Sequence, residues 1–115
     1  MRLPNLERLH IDIAKLTEYV LNPAHPEGRH KARVFLSALG ISVANARWLA
    51  DEILRAVKDA EAVAQSETKW GTIYRVDIEI TRGLRCAKVR TAWLCTVTET
   101  RLVTCFVIGE CNEAA

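Results

Sequence analysis

Apolar and charged residues alternate over residues 74–80 (YRVDIEI), and this pattern constrains the fold more than any other stretch. A period of two is typical of a β-strand with one buried and one solvated face. The next residues, 82–85 (RGLR), place glycine first in a two-residue turn, as a type II′ hairpin turn prefers. The sequence therefore predicts an antiparallel hairpin over residues 72–96.

The turn also predicts the register of this hairpin. With Arg82 opposite Arg85, the register sets Asp77 across from Arg90 and gathers opposite charges on one face. Apolar and neutral groups then meet on the other face, and a slip of one residue would mix the two sets. The predicted pairs are Asp77 with Arg90, Glu79 with Lys88, Val76 with Thr91, Ile78 with Val89 and Ile80 with Ala87.

Helical periodicity precedes the hairpin. Asp12 can cap a first helix, which should stop before Pro23 because proline disfavours helical geometry in the preceding residue. Gly40 is the expected left-handed stop of a second helix. The predicted helices cover residues 13–21, residues 30–39, and a third stretch from Ser42 or Asn45 to Ala60.

Two further strands, at residues 61–67 and 101–108, complete the expected sheet. The 115 residues fit one domain, and an apolar content of 50% with 26% charged residues is normal for a folded chain. We therefore predict an α+β single domain over residues 1–115. About three N-terminal helices (residues 12–60) pack on a C-terminal four-stranded antiparallel sheet (residues 61–108), followed by a short tail.

Charge and hydropathy exclude several classes of protein. The net charge is only +2 with both signs interspersed, so any polyanion site must be a local patch. Charged residues interrupt every apolar stretch before bilayer length, and the N-terminus lacks the apolar core of a secretory signal. We expect a soluble cytoplasmic protein without a membrane partner, or a module exported by other means.

The four cysteines, Cys86, Cys95, Cys105 and Cys111, form no CxxC pair and have no histidine nearby. A zinc site is therefore not expected, and no nucleotide-binding or metalloprotease motif is present, so the sequence predicts no metal and no cofactor. Buried free thiols are the simplest interpretation. A Cys95–Cys105 disulfide across a hairpin is the alternative in an oxidising compartment.

A loop bracketed by prolines, residues 22–29, carries His25. Histidine suits general acid or base catalysis, although an exposed or helix-capping histidine is the simpler interpretation. Lys31 falls in the first turn of a helix, where the dipole disfavours a cation, so it is either solvated or holds an anion. Thr104 is either an ordinary strand residue or a useful hydroxyl, and Tyr74 heads an apolar face, as a core residue would.

The polar face of the hairpin has two interpretations. Arg75, Lys88 and Arg90 could grip a phosphate, because arginine makes charge-assisted and often bidentate contacts. Alternatively, Arg90–Asp77 and Lys88–Glu79 are ordinary cross-strand ion pairs that only stabilise the sheet.

Several stretches together resemble small bacterial domains found alone or at the C-termini of polymorphic toxins and phage head-protein fusions. The matching stretches are residues 15–35 (KLTEYVLNPAHPEGRHKARVF), 39–40, 45–53, 71–77 (GTIYRVD), 89–93 (VRTAW) and 101–104 (RLVT). Such domains are similar to the barnase–EndoU–colicin–RelE ribonuclease toxins. That fold places N-terminal helices against a four-stranded antiparallel sheet.

The resemblance implies a metal-independent endoribonuclease, in which a 2′-hydroxyl attacks the adjacent phosphate. By matching positions it implies proton transfer by His25 and phosphate binding by Lys31 and Arg90. Thr104 would position the phosphate. The substrate-binding candidates are Tyr74, Arg75 and Lys88.

The implied partners are RNA, as substrate, and an antitoxin or immunity protein; a homo-oligomer is possible. The alternative is a non-catalytic module whose sheet face binds a protein or RNA. The sequence departs from the family pattern at two points, so the chain could act on an altered substrate or could be an inactive relative. No proline precedes Arg101, and residues 105–107 (CFV) replace an alanine-tyrosine-proline ending, so a tyrosine hydroxyl is missing.

Overall fold

The predicted hairpin forms the middle of a five-stranded mixed sheet. The computed structural model describes residues 1–111. The order of the strands across the sheet is β1-β5-β4-β3-β2. The strands are β1 (Leu9–His10), β2 (Ala62–Thr68), β3 (Gly71–Arg82), β4 (Arg85–Cys95) and β5 (Thr100–Glu110).

One edge strand differs from the prediction of four antiparallel strands. β2 to β5 pair antiparallel as expected, but β1 pairs parallel with β5 through Leu9–Thr100 and His10–Arg101. The hydroxyl of Thr100 also donates to the carbonyl of Pro4 at 2.7 Å, which ties the N-terminal segment to the sheet. A two-residue strand is too short to show a period-two pattern, so the sequence pattern did not predict it.

The predicted hairpin register is confirmed. Arg82 lies opposite Arg85, and Asp77 lies opposite Arg90. Gly83 has a φ of 64° whereas Leu84 keeps a negative φ, as a turn with glycine in the first central position requires. The apolar members of the predicted pairs are buried, namely Val76, Ile78, Ile80, Ala87 and Val89.

The helical half follows the prediction with one local exception. The first helix is a single α-turn followed by a π-helical turn, in which the N–H of Leu21 donates to the carbonyl of Leu16 at 2.8 Å. Asp12 caps this segment as predicted, by accepting from the N–H of Ala14 at 3.0 Å. The helical elements are the 3-10 turn Leu6–Arg8, α1 (Ile13–Lys15), the π-helical turn Leu16–Val20, α2 (Arg29–Leu39), the 3-10 turn Val43–Asn45 and α3 (Ala46–Val57).

The helices cover one face of the sheet, with α3 against β3 and α2 against β4 and β5. Phe35, Leu49, Ile53 and Trp93 are fully buried in the core between these layers. Among the described residues no helix is long and apolar enough to cross a membrane.

Two arginines near the hairpin turn hold the C-terminal end of α2. Arg82 donates to the carbonyl of Gly40 at 3.1 Å, and Arg85 donates to the carbonyl of Ser37 at 3.2 Å. The last carbonyls of a helix have no partner within the helix, so donors from outside satisfy them. Gly40 has a φ of 68°, which confirms the predicted left-handed stop.

The cysteines differ in part from the prediction. Cys86 and Cys111 form a disulfide with Cα atoms 5.5 Å apart, so these two are not free thiols. Cys95 and Cys105 are buried free thiols, and they lie opposite Thr100 and Thr91 rather than opposite each other. The alternative Cys95–Cys105 disulfide is therefore wrong. β5 runs to Glu110 instead of ending at residue 108, and this extension brings Cys111 beside Cys86.

Candidate functional site

The first turn of α2 presents Lys31 to two hydroxyl groups. Its Nζ donates to the Tyr19 hydroxyl at 2.7 Å and to the Thr104 hydroxyl at 3.2 Å. These partners belong to the π-helical turn and to β5, so Lys31 joins three elements. Because an ammonium carries three protons, one N–H has no acceptor among the described residues and can hold an anion.

Aromatic rings flank the same ammonium group. Nζ of Lys31 lies 4.4 Å from the centre of the Tyr19 ring and 5.6 Å from the centre of the Phe106 ring. A cation over a ring face is attracted by the ring quadrupole. The rings therefore help to keep the charge of Lys31 at the surface between α2 and β5.

Gly28 allows the loop before α2 to pack closely on the π-helical turn. A Cβ atom at Gly28 would overlap the backbone oxygen of Tyr19, although its φ of −78° is ordinary. Glycine is thus required here by the close approach of two backbones. This backbone contact therefore helps to fix the positions of His25, which precedes Gly28, and of Lys31, which follows it.

His25 is oriented by its own loop. Its Nδ1 accepts from the N–H groups of Glu27 and Gly28, at 3.0 and 2.9 Å. Its ring stands edge-on to the Tyr19 ring, with centres 4.8 Å apart and an interplanar angle of 78°. A nitrogen that accepts two hydrogen bonds carries no proton, so the neutral ring bears its proton on Nε2. In this conformation His25 offers a donor rather than a free basic nitrogen.

Arg90 forms a bidentate ion pair with Asp77. Nε donates to Oδ1 at 2.9 Å and Nη2 donates to Oδ2 at 3.0 Å. This hydrogen bonding lowers the pKa of Asp77 and raises the pKa of Arg90. The pair uses only two of the five guanidinium protons, so Arg90 keeps donors for a further anion.

Strand register places Arg90 on the same outer face of the sheet as Thr104 and Phe106, the two β5 residues that contact Lys31. Arg90 lies opposite Phe106, and Ala92 lies opposite Thr104. Cross-strand partners share a face, with Cβ atoms about 5 Å apart. Phe106 therefore adjoins Arg90 on one side and Lys31 on the other. Lys31 itself extends from α2, and its contacts with Thr104 and Phe106 link it to the β5 residues that neighbour Arg90.

A β-bulge explains why Thr104 reaches this surface. Leu102 lies opposite Trp93 and is buried, whereas Thr104 lies opposite Ala92, so Val103 is an extra residue in β5. The bulge turns the next side chains to the other face than simple alternation would give. Periodicity left the face of Thr104 undetermined because both faces of this strand are apolar.

The remaining candidates divide between the two faces. Arg75 and Lys88 lie opposite Ala92 and Gly109 and share the outer face with Arg90. Tyr74 lies opposite Trp93 and packs against the core, so it is on the other face. The described ion pairs do not include Lys88–Glu79, although these residues are opposite each other as predicted.

The sequence pattern indicates no catalytic role for Tyr19 or Phe106. Tyr19 lies within a matching stretch, but only the π-helical turn shows that its hydroxyl meets Lys31. Phe106 stands in an apolar strand where nothing in the pattern separates a surface ring from a core ring. Both residues are partly exposed at the site.

A group of possible metal ligands occurs elsewhere among residues 1–111. The Glu79 carboxylate and the sulfur atoms of Cys86 and Cys111 lie within 4.8 Å of one another. The two sulfurs are joined in the disulfide, so neither is a thiolate able to bind a metal.

Comparison with known proteins places the chain at the level of a family. No curated protein and no solved structure matches it. The relation to the ribonuclease-toxin fold stays a prediction. A family model described as "Domain of unknown function (DUF6883)" matches residues 2–109, which is nearly the whole chain. The chain therefore belongs to the DUF6883 family.

Proposed function

We propose that this chain is a metal-independent endoribonuclease of the toxin type, which is controlled by an antitoxin or immunity protein. The toxin assignment rests on the resemblance of residues 15–35 and the later stretches to such domains. The observation that best supports RNA cleavage is the position of the Lys31 ammonium group, which is held between two hydroxyls beside His25.

The reaction requires cations and hydrogen-bond donors that bind the phosphate, and groups that accept and donate protons. The 2′-oxygen attacks phosphorus, a 2′,3′-cyclic phosphate forms, and the 5′-oxygen leaves as a hydroxyl. Negative charge builds on the non-bridging oxygens, where fixed donors lower the barrier. Lys31 supplies its remaining N–H to these oxygens, and the Thr104 hydroxyl positions Lys31 by accepting a hydrogen bond from its ammonium group.

Neighbouring residues support binding of an RNA strand. His25 can offer its Nε2–H as a further phosphate donor, because Nδ1 is occupied. Phe106 offers a ring between Lys31 and Arg90 on which a base can stack. Arg75 and Lys88 extend the basic surface along the strands.

Arg90 does not have to leave Asp77 in order to bind phosphate. The ion pair uses Nε and one proton of Nη2, so three N–H groups have no acceptor among the described residues. Asp77 then orients the guanidinium plane while Arg90 contacts the substrate. This arrangement combines the structural and the functional interpretation of the same pair.

A non-catalytic binding module is the second candidate. Asp77 and Glu79 place two carboxylates among the basic residues of the outer face, which weakens its attraction for a polyanion. A protein partner with both charges would suit such a face. The two candidates differ in one measurable property, the cleavage of RNA.

The test uses purified chain and a labelled single-stranded RNA of mixed sequence in the presence of a chelator. We expect fragments that end in a 2′,3′-cyclic phosphate, and no cleavage of DNA of the same sequence, since DNA lacks the attacking hydroxyl. Lys31→Ala should lower the rate by about 10²-fold or more, as loss of a transition-state donor does. Lys58→Ala, an exposed lysine at the end of α3, is the matched control and should cleave normally.

Intact RNA after prolonged incubation with the folded wild-type chain would overturn the nuclease proposal. Binding of RNA without cleavage would favour the binding module instead. Equal rates for Lys31→Ala and the wild-type chain would show that the activity lies elsewhere. Circular dichroism of each variant separates these outcomes from misfolding.

A further inference from the structure

The π-helical turn Leu16–Val20 gives Tyr19 its position. A π-helical turn is rare and is found disproportionately at functional sites, because its extra residue redirects the side chains around it. Here it brings the Tyr19 hydroxyl to Lys31 and the Tyr19 ring to His25. The unusual backbone is therefore located where the candidate site needs a precisely directed hydroxyl.

The hydrogen bonding of Tyr19 suits donation of a proton. Lys31 donates to the Tyr19 oxygen, so the phenolic proton points elsewhere and has no acceptor among the described residues. When that proton leaves, the phenolate forms 2.7 Å from an ammonium group, and the opposite charges stabilise each other.

His25 is poorly arranged for the same task. Its neutral ring could donate only the Nε2 proton, and losing that proton would leave an imidazolate. A doubly protonated ring would need a proton on Nδ1, which accepts from two backbone N–H groups. His25 therefore serves as a fixed hydrogen-bond donor, and the proton must come from another group.

We propose that Tyr19 is the general acid of the reaction, an inference that rests on the proposed ribonuclease function. The 2′-oxygen forms its bond to phosphorus and releases its proton to solvent water. The bond between phosphorus and the 5′-oxygen breaks, and its electron pair goes to that oxygen. The 5′-oxygen takes the proton of the Tyr19 hydroxyl, and Lys31 stabilises the resulting phenolate until solvent returns a proton.

The test compares two RNA substrates that differ in one atom at the cleaved linkage. One has the natural bridging 5′-oxygen and the other has sulfur in its place, which leaves as a thiolate without needing a proton. Tyr19→Phe should slow single-turnover cleavage of the oxygen substrate by about 10²-fold or more. The sulfur substrate should be cleaved at a rate within the same order of magnitude as by the wild-type chain. Thr104→Val, which loosens the hold on Lys31, should slow both substrates, because Lys31 also donates to the non-bridging phosphate oxygens.

The ratio of the two rates within one variant does not depend on the fraction of folded protein, so partial misfolding leaves the test intact. Equal slowing of both substrates by Tyr19→Phe would make Tyr19 a positioning residue and overturn the assignment. An unchanged oxygen rate would also overturn it. If the wild-type chain cleaves neither substrate, the ribonuclease proposal itself fails and the role of Tyr19 fails with it.

Discussion

Asp77 determines how Arg90 is presented on the outer face of the sheet. It accepts two hydrogen bonds from Arg90, and Arg75 lies 4.0 Å from the same carboxylate. The bidentate pair fixes the plane of the guanidinium group. Because hydrogen bonding to Arg90 lowers the pKa of Asp77, this carboxylate stays charged in moderately acidic solution.

Replacing Asp77 by asparagine should remove a small, pH-dependent stabilisation. Both side chains are about a third exposed, at 35% and 37%, so we expect a loss below about 1 kcal/mol. The pKa is lower in the folded chain, so the stabilisation is present above the ordinary value of 3.8 and is lost as the pH falls through the folded value. Urea unfolding of both proteins, at neutral pH and at about pH 2, measures the difference.

Glu79→Gln is the matched control, because Glu79 is an exposed carboxylate on the same face without an ion pair among the described contacts. It should leave the unfolding free energy nearly unchanged at either pH. A stability difference between wild type and Asp77→Asn that persists at the lower pH would contradict the role given to the carboxylate charge.

At the level of elements, the loop before α2 and the π-helical turn act as one unit. The close approach of Gly28 to Tyr19 holds the loop in place, while His25 and Lys31 both contact the Tyr19 side chain. The geometry of the candidate site therefore depends on a backbone contact as much as on its polar side chains.

Gly28→Ala should disturb this unit. Its Cβ would meet the backbone oxygen of Tyr19, and backbone atoms cannot move aside as a flexible side chain can. We expect a destabilisation of about 1–3 kcal/mol in urea unfolding, the range typical of overpacking. Gly109→Ala serves as control, since a Cβ there meets nothing within 4 Å. A Gly28→Ala variant as stable as the control would contradict the packing argument.

The elements differ in how well the sequence predicts them. The hairpin was predictable to the residue because alternation, charge pairing and the Gly83 turn all agree on one register. The π-helical turn was not predictable, since one inserted residue redirects the neighbouring side chains without changing the apolar pattern of the sequence. The face of Thr104 depended on the bulge at Val103, which leaves no mark in an apolar strand.

The same contrast applies to the candidate site. His25 and Lys31 stand out in sequence because prolines and a helix start surround them, and the structure brings both against Tyr19. The position of Phe106 beside Arg90 depends on the pairing of β4 with β5, whose register the sequence did not predict. Side chains that meet through long-range strand pairing carry no local signal of their meeting.

At the scale of the whole molecule, the disulfide links the beginning of β4 to the residue that follows β5. Cys86 and Cys111 are 25 residues apart, and the loop between them contains most of β4 and all of β5. The other two cysteines are buried, and burial raises the pKa of Cys105 to about 12 and also raises that of Cys95. Near neutral pH the buried Cys105 therefore remains an unreactive thiol.

Reduction of this disulfide should destabilise the chain. Opening a loop of this length returns conformational entropy to the unfolded state, for which the chain-entropy relation gives roughly 3.5 kcal/mol. Urea unfolding with and without a reductant measures the change. A Cys86→Ser/Cys111→Ser double variant should match the reduced wild-type chain and show no response to reductant. An unfolding curve for the wild-type chain that is the same with and without reductant would contradict this expectation.

The contacts of α2 at its two ends have a consequence for distant substitutions. Arg82 and Arg85 fasten its C-terminal end to the hairpin turn, and Lys31 fastens its N-terminal turn to β5. Its 11 residues span about 16 Å, so the helix is a rigid spacer between the turn and the candidate site. A change in residues 82–85 would therefore shift the axis of α2 and, with it, the position of the Lys31 ammonium, without altering any residue of the candidate site.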